Sequence, residues 1–312
     1  MTPPVELGRG RLLLDLHFRD HEGLVACYAF PGEDGWTLVE TGPTTCRPAL
    51  RAALRDAGIE PDSVRRVLLT HIHLDHAGGA GALMEDLPRA TFYAHERGVP
   101  HLVDPSRLIA SARRAWGAAA DPLWGTIVPV AADRIRALRG GEQLPVAGGE
   151  LEVIATPGHA QHHLSFFDGP TRSLLTGDSA GVHVPGAWRA RPAIPPPDLD
   201  LGQLYRSLEE MTRRAPDRLL YSHFGPQSGA VGELHRYRET VASWVEVGRR
   251  AFDESPDVAS VARALERYER SAAAESHADT SAEARSALVS GYELAAQGII
   301  RLVQTERKGR PG

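Results

Sequence analysis

Thr70-His71-Ile72-His73-Leu74-Asp75-His76-Ala77-Gly78-Gly79 is the stretch that decides how this chain reads. With 14 His and 18 Asp among 312 residues, the pattern H-x-H-x-D-H arises by accident in roughly 0.2% of chains of this composition. The run before it, Val64-Thr70, is apolar and β-branched and reads as a buried strand. At a strand end, positions i and i+2 point the same way, so His71 and His73 converge on one point. The turn that follows presents Asp75 and His76 to a second point nearby. Neutral imidazoles and carboxylates at this density suit zinc, iron or manganese. The alternative is a cluster of solvated or capping histidines.

Outward from this segment, three more apolar strands end in a residue of ligand type. Leu151-Thr156 runs into Pro157-Gly158-His159, Ser173-Thr176 into Gly177-Asp178, and Arg218-Ser222 into His223. His159 and Asp178 each follow a Gly, which lets backbone approach closely. A single strand-end His is more often a hydrogen-bonded structural residue; the ordered set carries the signal.

In that order, His71, His73, Asp75, His76, His159, Asp178 and His223 resemble the metallo-β-lactamase fold superfamily of metal-dependent hydrolases, over about residues 10–229. Leu38-Val39-Glu40-Thr41-Gly42 is similar to that family's strand ending in D-T-G, with Glu40 in place of Asp. Thr156-Pro157-Gly158-His159, with His163 and Ser165, resembles the T-P-G-H-x-x-x-H-x-S stretch of the glyoxalase II-like branch. His162 stands where that branch often has Gly, and either faces solvent or reaches the pocket. The resemblance implies an α/β fold, a four-layer αββα sandwich with a C-terminal helical appendage. It also implies two divalent ions, zinc first with iron or manganese as alternatives. His71, His73 and His159 would hold one ion; Asp75, His76 and His223 the other; Asp178 would bridge. Glu40 would be a carboxylate behind one of the ligand histidines, without indicating which.

Two such ions would bring a bridging water toward a neutral pKa, and the resulting hydroxide would attack a carbonyl polarised by one of them. Asp75 could carry the proton to the leaving group, so Asp75 and Asp178 are the catalytic candidates. No G-x-S-x-G elbow is present, and this route needs none. Tyr221, two residues before His223, either donates to the oxyanion or packs in the core. The expected reaction is hydrolysis of an ester, lactone or thioester.

Composition narrows the alternatives. Of 35 basic residues, 34 are Arg and one is Lys, at Lys308. A P-loop, a Schiff base and a Ser-Lys hydrolase all require a Lys inside the fold, so none is expected. The missing Lys also weakens an analogy with glutathione thioesters, whose carboxylates such enzymes commonly hold with basic side chains including Lys. A net charge of -5 argues against a nucleic-acid surface and against a nuclease of this fold. The two cysteines, Cys27 and Cys46, provide no disulfide framework. No signal-peptide pattern and no membrane span are read, so a small-molecule substrate and a cytoplasmic setting are expected.

The remaining rivals are a mononuclear iron relative that oxidises persulfides, which keeps nearly the same His/Asp set, and a non-catalytic scaffold. The scaffold is disfavoured because a cluster of ionisable groups is costly without metal.

The expected organisation is a catalytic domain over 1–229 with an irregular, partly helical insertion at about 101–138, and a helical extension over 230–312. The extension reads as helices at 230–252, 256–275 and 282–307, and its apolar faces suit a homodimer. Trp116 and Trp124 in the insertion, and Trp188 in the Pro-rich loop 184–197, either wall the pocket or anchor those segments to the core.

Overall fold

The computed structural model describes residues 2–276 and 280–309, and the chain divides into two compact units. The first comprises residues 1–155 and 162–177, the second 156–161 and 178–312.

Apolar, β-branched runs separated by Gly, Pro and Asp form the strands of the first unit. Its seven-stranded sheet follows chain order: β1 (Val5–Glu6), β2 (Leu12–Asp15), β3 (Ala26–Phe30), β4 (Trp36–Val39), β5 (Val64–Leu68), β6 (Thr91–His95) and β7 (Ile135–Leu138). The pairs up to β4 are antiparallel and those from β4 to β7 parallel. Parallel neighbours need crossover connections, which helices supply. These are α1 (Arg47–Asp56), then α2 (Leu74–Ala77) and α3 (Ala80–Leu83), then α4 (Val99–Val103), α5 (Ser106–Trp116) and α6 (Ala120–Trp124). Helix α1 buries Leu50, Ala53 and Leu54, the i, i+3, i+4 stripe of an amphipathic helix.

A second sheet begins with the antiparallel run β8 (Gln143–Val146), β9 (Gly149–Ala155), β10 (Leu164–Asp168) and β11 (Ser173–Gly177). Leu14, Phe30, Leu38, Phe92 and Phe166 are fully buried and make up much of this unit's core. Within it, Arg11 Nε and Nη2 donate to the two oxygens of Asp168 at 2.9 and 3.1 Å. Arg11 Nη2 also reaches the Ala147 carbonyl at 3.0 Å. Both side chains are buried, so each supplies the hydrogen-bond partner and countercharge that water would otherwise give the other.

The second unit holds the antiparallel hairpin β12 (Arg218–Tyr221) and β13 (Gly225–Ser228), and helices α7 (Leu201–Arg213), α8 (Ala230–Glu254), α9 (Val258–Glu275), α10 (Thr280–Val289) and α11 (Tyr292–Gly309). Helix α8 buries Leu234, Tyr237, Val241, Trp244 and Val245 along one face. The Trp244 indole inside donates to Glu269 of α9 at 3.0 Å.

Two sequence expectations are corrected. The 101–138 segment is not irregular to its end, because Ile135–Leu138 forms β7, parallel to β6. Its burial runs in–out–out–in, so it lacks the alternation that marks a half-buried strand. The expected helix 282–307 is two helices, α10 and α11, broken at Ser290-Gly291. There Ser290 Oγ bonds the Pro192 carbonyl at 3.0 Å, and its own carbonyl accepts from Arg191 at 2.9 Å. Among the described residues no helix is long and apolar enough to cross a membrane.

Helix α7 starts at Asp200, whose carboxylate accepts from the Gln203 amide at 2.9 Å. These backbone bonds hold its pKa below the ordinary value. Replacing Asp200 with Ala should cost about 1 kcal/mol. Because the folded-state pKa is depressed, that contribution is complete above the unfolded value of about 4 and is lost as pH falls through the lower folded value. Urea melts of both proteins should therefore differ at pH 7 and converge in strong acid.

Candidate metal centre

In the first unit, strand β5 leads through buried Leu69 and Thr70 into buried His71. His73 follows in extended conformation as the N-cap of α2, whose single turn carries Asp75 and His76. The i, i+2 convergence predicted from sequence is present: His71 Nε2 and His73 Nδ1 lie 2.9 Å apart. His71 and His76 are fully buried, whereas His73 and Asp75 are half-buried.

Glu40 lies at the end of β4 in left-handed backbone (φ 74°) and is fully buried. Its Oε1 accepts from the Thr70 hydroxyl at 2.5 Å and faces His76 Nδ1 at 3.1 Å. The Thr70 oxygen is in turn 3.0 Å from His71 Nδ1. One carboxylate therefore backs His76 directly and His71 through Thr70. With each Nδ1–H donated inward, Nε2 is the outward nitrogen of both rings, toward His73 in His71 and toward Asp75 in His76. The sequence left open which histidine Glu40 serves; it serves two, and Thr70 is the member that sequence reading missed.

His163 is buried behind this pair, its ring centroid 4.9 Å from that of His71. A Cβ at Gly177 would lie 2.4 Å from His163 Nε2, and φ there is +51°, so only Gly fits. His162 does not point away: its ring lies 5.8 Å from His73 and 6.2 Å from His71, and its Nδ1 faces the Ile72 amide at 3.4 Å.

In the second unit, the turn Thr156–Gln161 carries His159. Gly158 has φ +132°, and a Cβ there would meet the Leu204 backbone nitrogen at 2.3 Å, so this close approach to α7 also requires Gly. His159 Nδ1 bonds the Ala193 carbonyl at 2.8 Å. Its Nε2 is 3.6 Å from Asp178 Oδ2, while Asp178 Oδ1 is 3.6 Å from Nε2 of His223. The two oxygens of Asp178 thus address two different imidazoles. Tyr221 is fully buried and stacks on His183 (5.4 Å, 23°), and burial raises its pKa well above normal. Its position is that of a packing residue.

Trp124 stacks on Phe18 (5.8 Å, 12°), and Trp116 meets Trp124 edge-on at 5.1 Å. Both tryptophans of the helical segment are thereby pinned to the loop before β3, although Trp116 stays 39% exposed. Trp188 lies beneath the Arg189 guanidinium at 4.1 Å.

Within the first unit His71, His73, Asp75 and His76 offer their ligand atoms close together, and within the second Asp178 addresses both His159 and His223. Imidazole and carboxylate donors are what zinc, iron and manganese take. Separations of 3.6 Å are too long for hydrogen bonds, yet suit donors on a tetrahedral ion with bonds of about 2.0–2.2 Å. The donor set therefore fits a divalent metal.

Residues 22–223 match the family model of the metallo-beta-lactamase superfamily, and the chain belongs to that superfamily. Its fold is the four-layer αββα sandwich of that group, with C-terminal helices added. It is 28% identical over 179 residues to the metallo-beta-lactamase fold-containing protein ST1585 of Sulfurisphaera tokodaii, covering 56% of this chain and 66% of the relative. It is 29% identical over 163 residues to a hydroxyacylglutathione hydrolase of Stenotrophomonas maltophilia, covering 50% and 49%. The chain thus spans just under two thirds of the first relative's length and about half of the second's. The crystal structure of the family protein TTHA1429 from Thermus thermophilus superposes with a TM-score of 0.71 at 22% identity, covering 98% of this chain and 97% of that one.

Proposed function

We propose that this protein is a dinuclear metal-dependent hydrolase acting on an ester, lactone or thioester carbonyl. The observation that carries this reading is the grouping of ligand atoms. In the first unit His71, His73, Asp75 and His76 lie together, and in the second Asp178 directs one oxygen at His159 and the other at His223; we assign His71, His73 and His159 to one ion, Asp75, His76 and His223 to the other, and Asp178 to both. In this reading residues 1–229 are the catalytic domain and 230–312 an extension to it.

When bound, divalent ions of this kind supply Lewis acidity, acidifying a water and polarising a carbonyl oxygen. The chain's own groups do the rest. Asp178 holds the two ligand sets in fixed relation. Glu40 and Thr70 keep His71 and His76 in one tautomer. Asp75, with 18% of its side chain exposed, is the carboxylate placed to pass a proton toward solvent or a leaving group. The described residues offer no lysine within the fold, since Lys308 stands four residues from the end, so a substrate carboxylate would have to be met by Arg. This favours neutral lactones and thioesters over glutathione conjugates.

The experiment is a hydrolysis screen of purified protein against lactones, thioesters, phosphodiesters and β-lactams, with metal content measured on the same sample. About two ions per chain and carbonyl-ester hydrolysis, lost with a chelator and restored by zinc, iron or manganese, are expected. One iron per chain with oxygen consumption on a persulfide would instead establish the dioxygenase reading.

A further inference from the structure

Residues 191–193 of the second unit form a short strap on which His159 rests, and the C-terminal helices hold it. The Arg191 side chain is 3% exposed. Its Nη1 donates to the Ser290 carbonyl at 2.9 Å, and its Nη2 to the Tyr292 hydroxyl at 3.1 Å and to the Glu283 carboxylate. The guanidinium lies over the Tyr292 ring at 4.5 Å, and that ring stacks on buried Trp244 at 5.6 Å. The Arg191 backbone pairs in both directions with Val182, at 2.8 and 3.0 Å. One residue on, the Pro192 carbonyl accepts from Ser290 Oγ at 3.0 Å. Next, the Ala193 amide donates to the Tyr237 hydroxyl at 3.3 Å. The Ala193 carbonyl then accepts from His159 Nδ1 at 2.8 Å.

Three consecutive residues are thus each tied down, and the last of them presents its carbonyl to His159. That carbonyl fixes Nδ1 as the nitrogen of His159 that carries the proton and orients Nε2 toward Asp178. An arginine suits the anchor because its planar fork can serve a carbonyl, a hydroxyl and a carboxylate at once, which a lysine ammonium does not reproduce. Resting on the metal-hydrolase reading above, we propose that Arg191 is a positioning residue for His159. Through it the C-terminal helices α10 and α11 set the affinity of the ion that His159 binds. The helical extension then has a role that does not depend on touching substrate.

The test is metal affinity, read by chelator competition on the full chain, together with the visible absorption spectrum of the cobalt-substituted protein. Arg191→Met should weaken the tighter competition step by about 10- to 100-fold and alter the cobalt bands, as loss of a partner behind a ligand does. Arg191→Lys should recover only part of this. In a His159→Ala background, Arg191→Met should change affinity by less than twofold, because its effect passes through that imidazole. If Arg191→Met does not fold, Ser290→Ala combined with Tyr237→Phe loosens the strap without burying a lone carboxylate, and should weaken binding in the same direction by several-fold. Wild-type affinity and an unchanged spectrum in a folded strap variant would overturn the proposal. So would a loss that persists in full without His159. Failure of the hydrolase reading is separately visible: His159→Ala itself would leave metal binding intact, or the wild type would bind no ion, and the proposal would fall with it.

Discussion

Asp178→Ala should abolish hydrolysis, lowering kcat/KM by at least about 10³-fold, and should reduce bound metal to one ion or fewer per chain. Asp178 is nearly buried, and each of its oxygens stands 3.6 Å from a different imidazole, Nε2 of His159 and Nε2 of His223. On the proposed dinuclear reading, removing Asp178 would take a ligand atom from each set and one negative charge from a site that would have to offset two dications. Asp178→Asn keeps the volume and loses the charge, so it should fail nearly as badly, which separates charge from space. Metal analysis and steady-state kinetics on the two variants provide the measurement, with far-UV circular dichroism confirming the fold. Wild-type-like turnover in either variant would sink the dinuclear assignment.

The second large effect is expected at Glu40. Glu40→Ala removes the carboxylate that faces His76 Nδ1 at 3.1 Å and receives the Thr70 hydroxyl at 2.5 Å. Both His76 and His71 then lose the group that fixes their tautomer, and metal affinity should drop by about 10- to 100-fold. Thr70→Val breaks only the branch to His71 and should cost less. Because Glu40 reaches His71 only by way of Thr70, Thr70→Val should cost less in the Glu40→Ala background than in the wild type. Chelator competition on the four proteins gives the cycle directly. Strict additivity would mean that Thr70 acts on His71 independently of Glu40.

Much of the candidate site is legible in the sequence. His71, His73, Asp75 and His76 are close in sequence, and local backbone geometry alone brings their side chains together. His159, Asp178 and His223 each follow an apolar strand, and parallel reading of strand ends singled them out as candidates. The residues behind them were not legible, for three reasons. Thr70 is one of many threonines and acquires a role only because β4 and β5 are neighbours. The Ala193 carbonyl is a backbone group, and any residue has one. Arg191 finds its partners 92 to 101 residues away, a separation at which pattern and propensity carry no information. The strand Ile135–Leu138 and the break at Ser290-Gly291 escaped for the same reason, since contacts from distant segments override the local pattern.

Taken alone, the order of residues determined the superfamily, the two-sheet α/β class, the identity of the candidate ligands and the exclusion of lysine chemistry. Each of these depends on residue type, local spacing or simple absence. Tertiary structure decided which histidines share Glu40, that Asp178 addresses both His159 and His223, that Tyr221 packs on His183, and that the C-terminal helices reach His159 through Arg191. Those relations depend on hydrogen bonds a few ångströms long between segments far apart in the chain, and such distances exist only once the chain has folded.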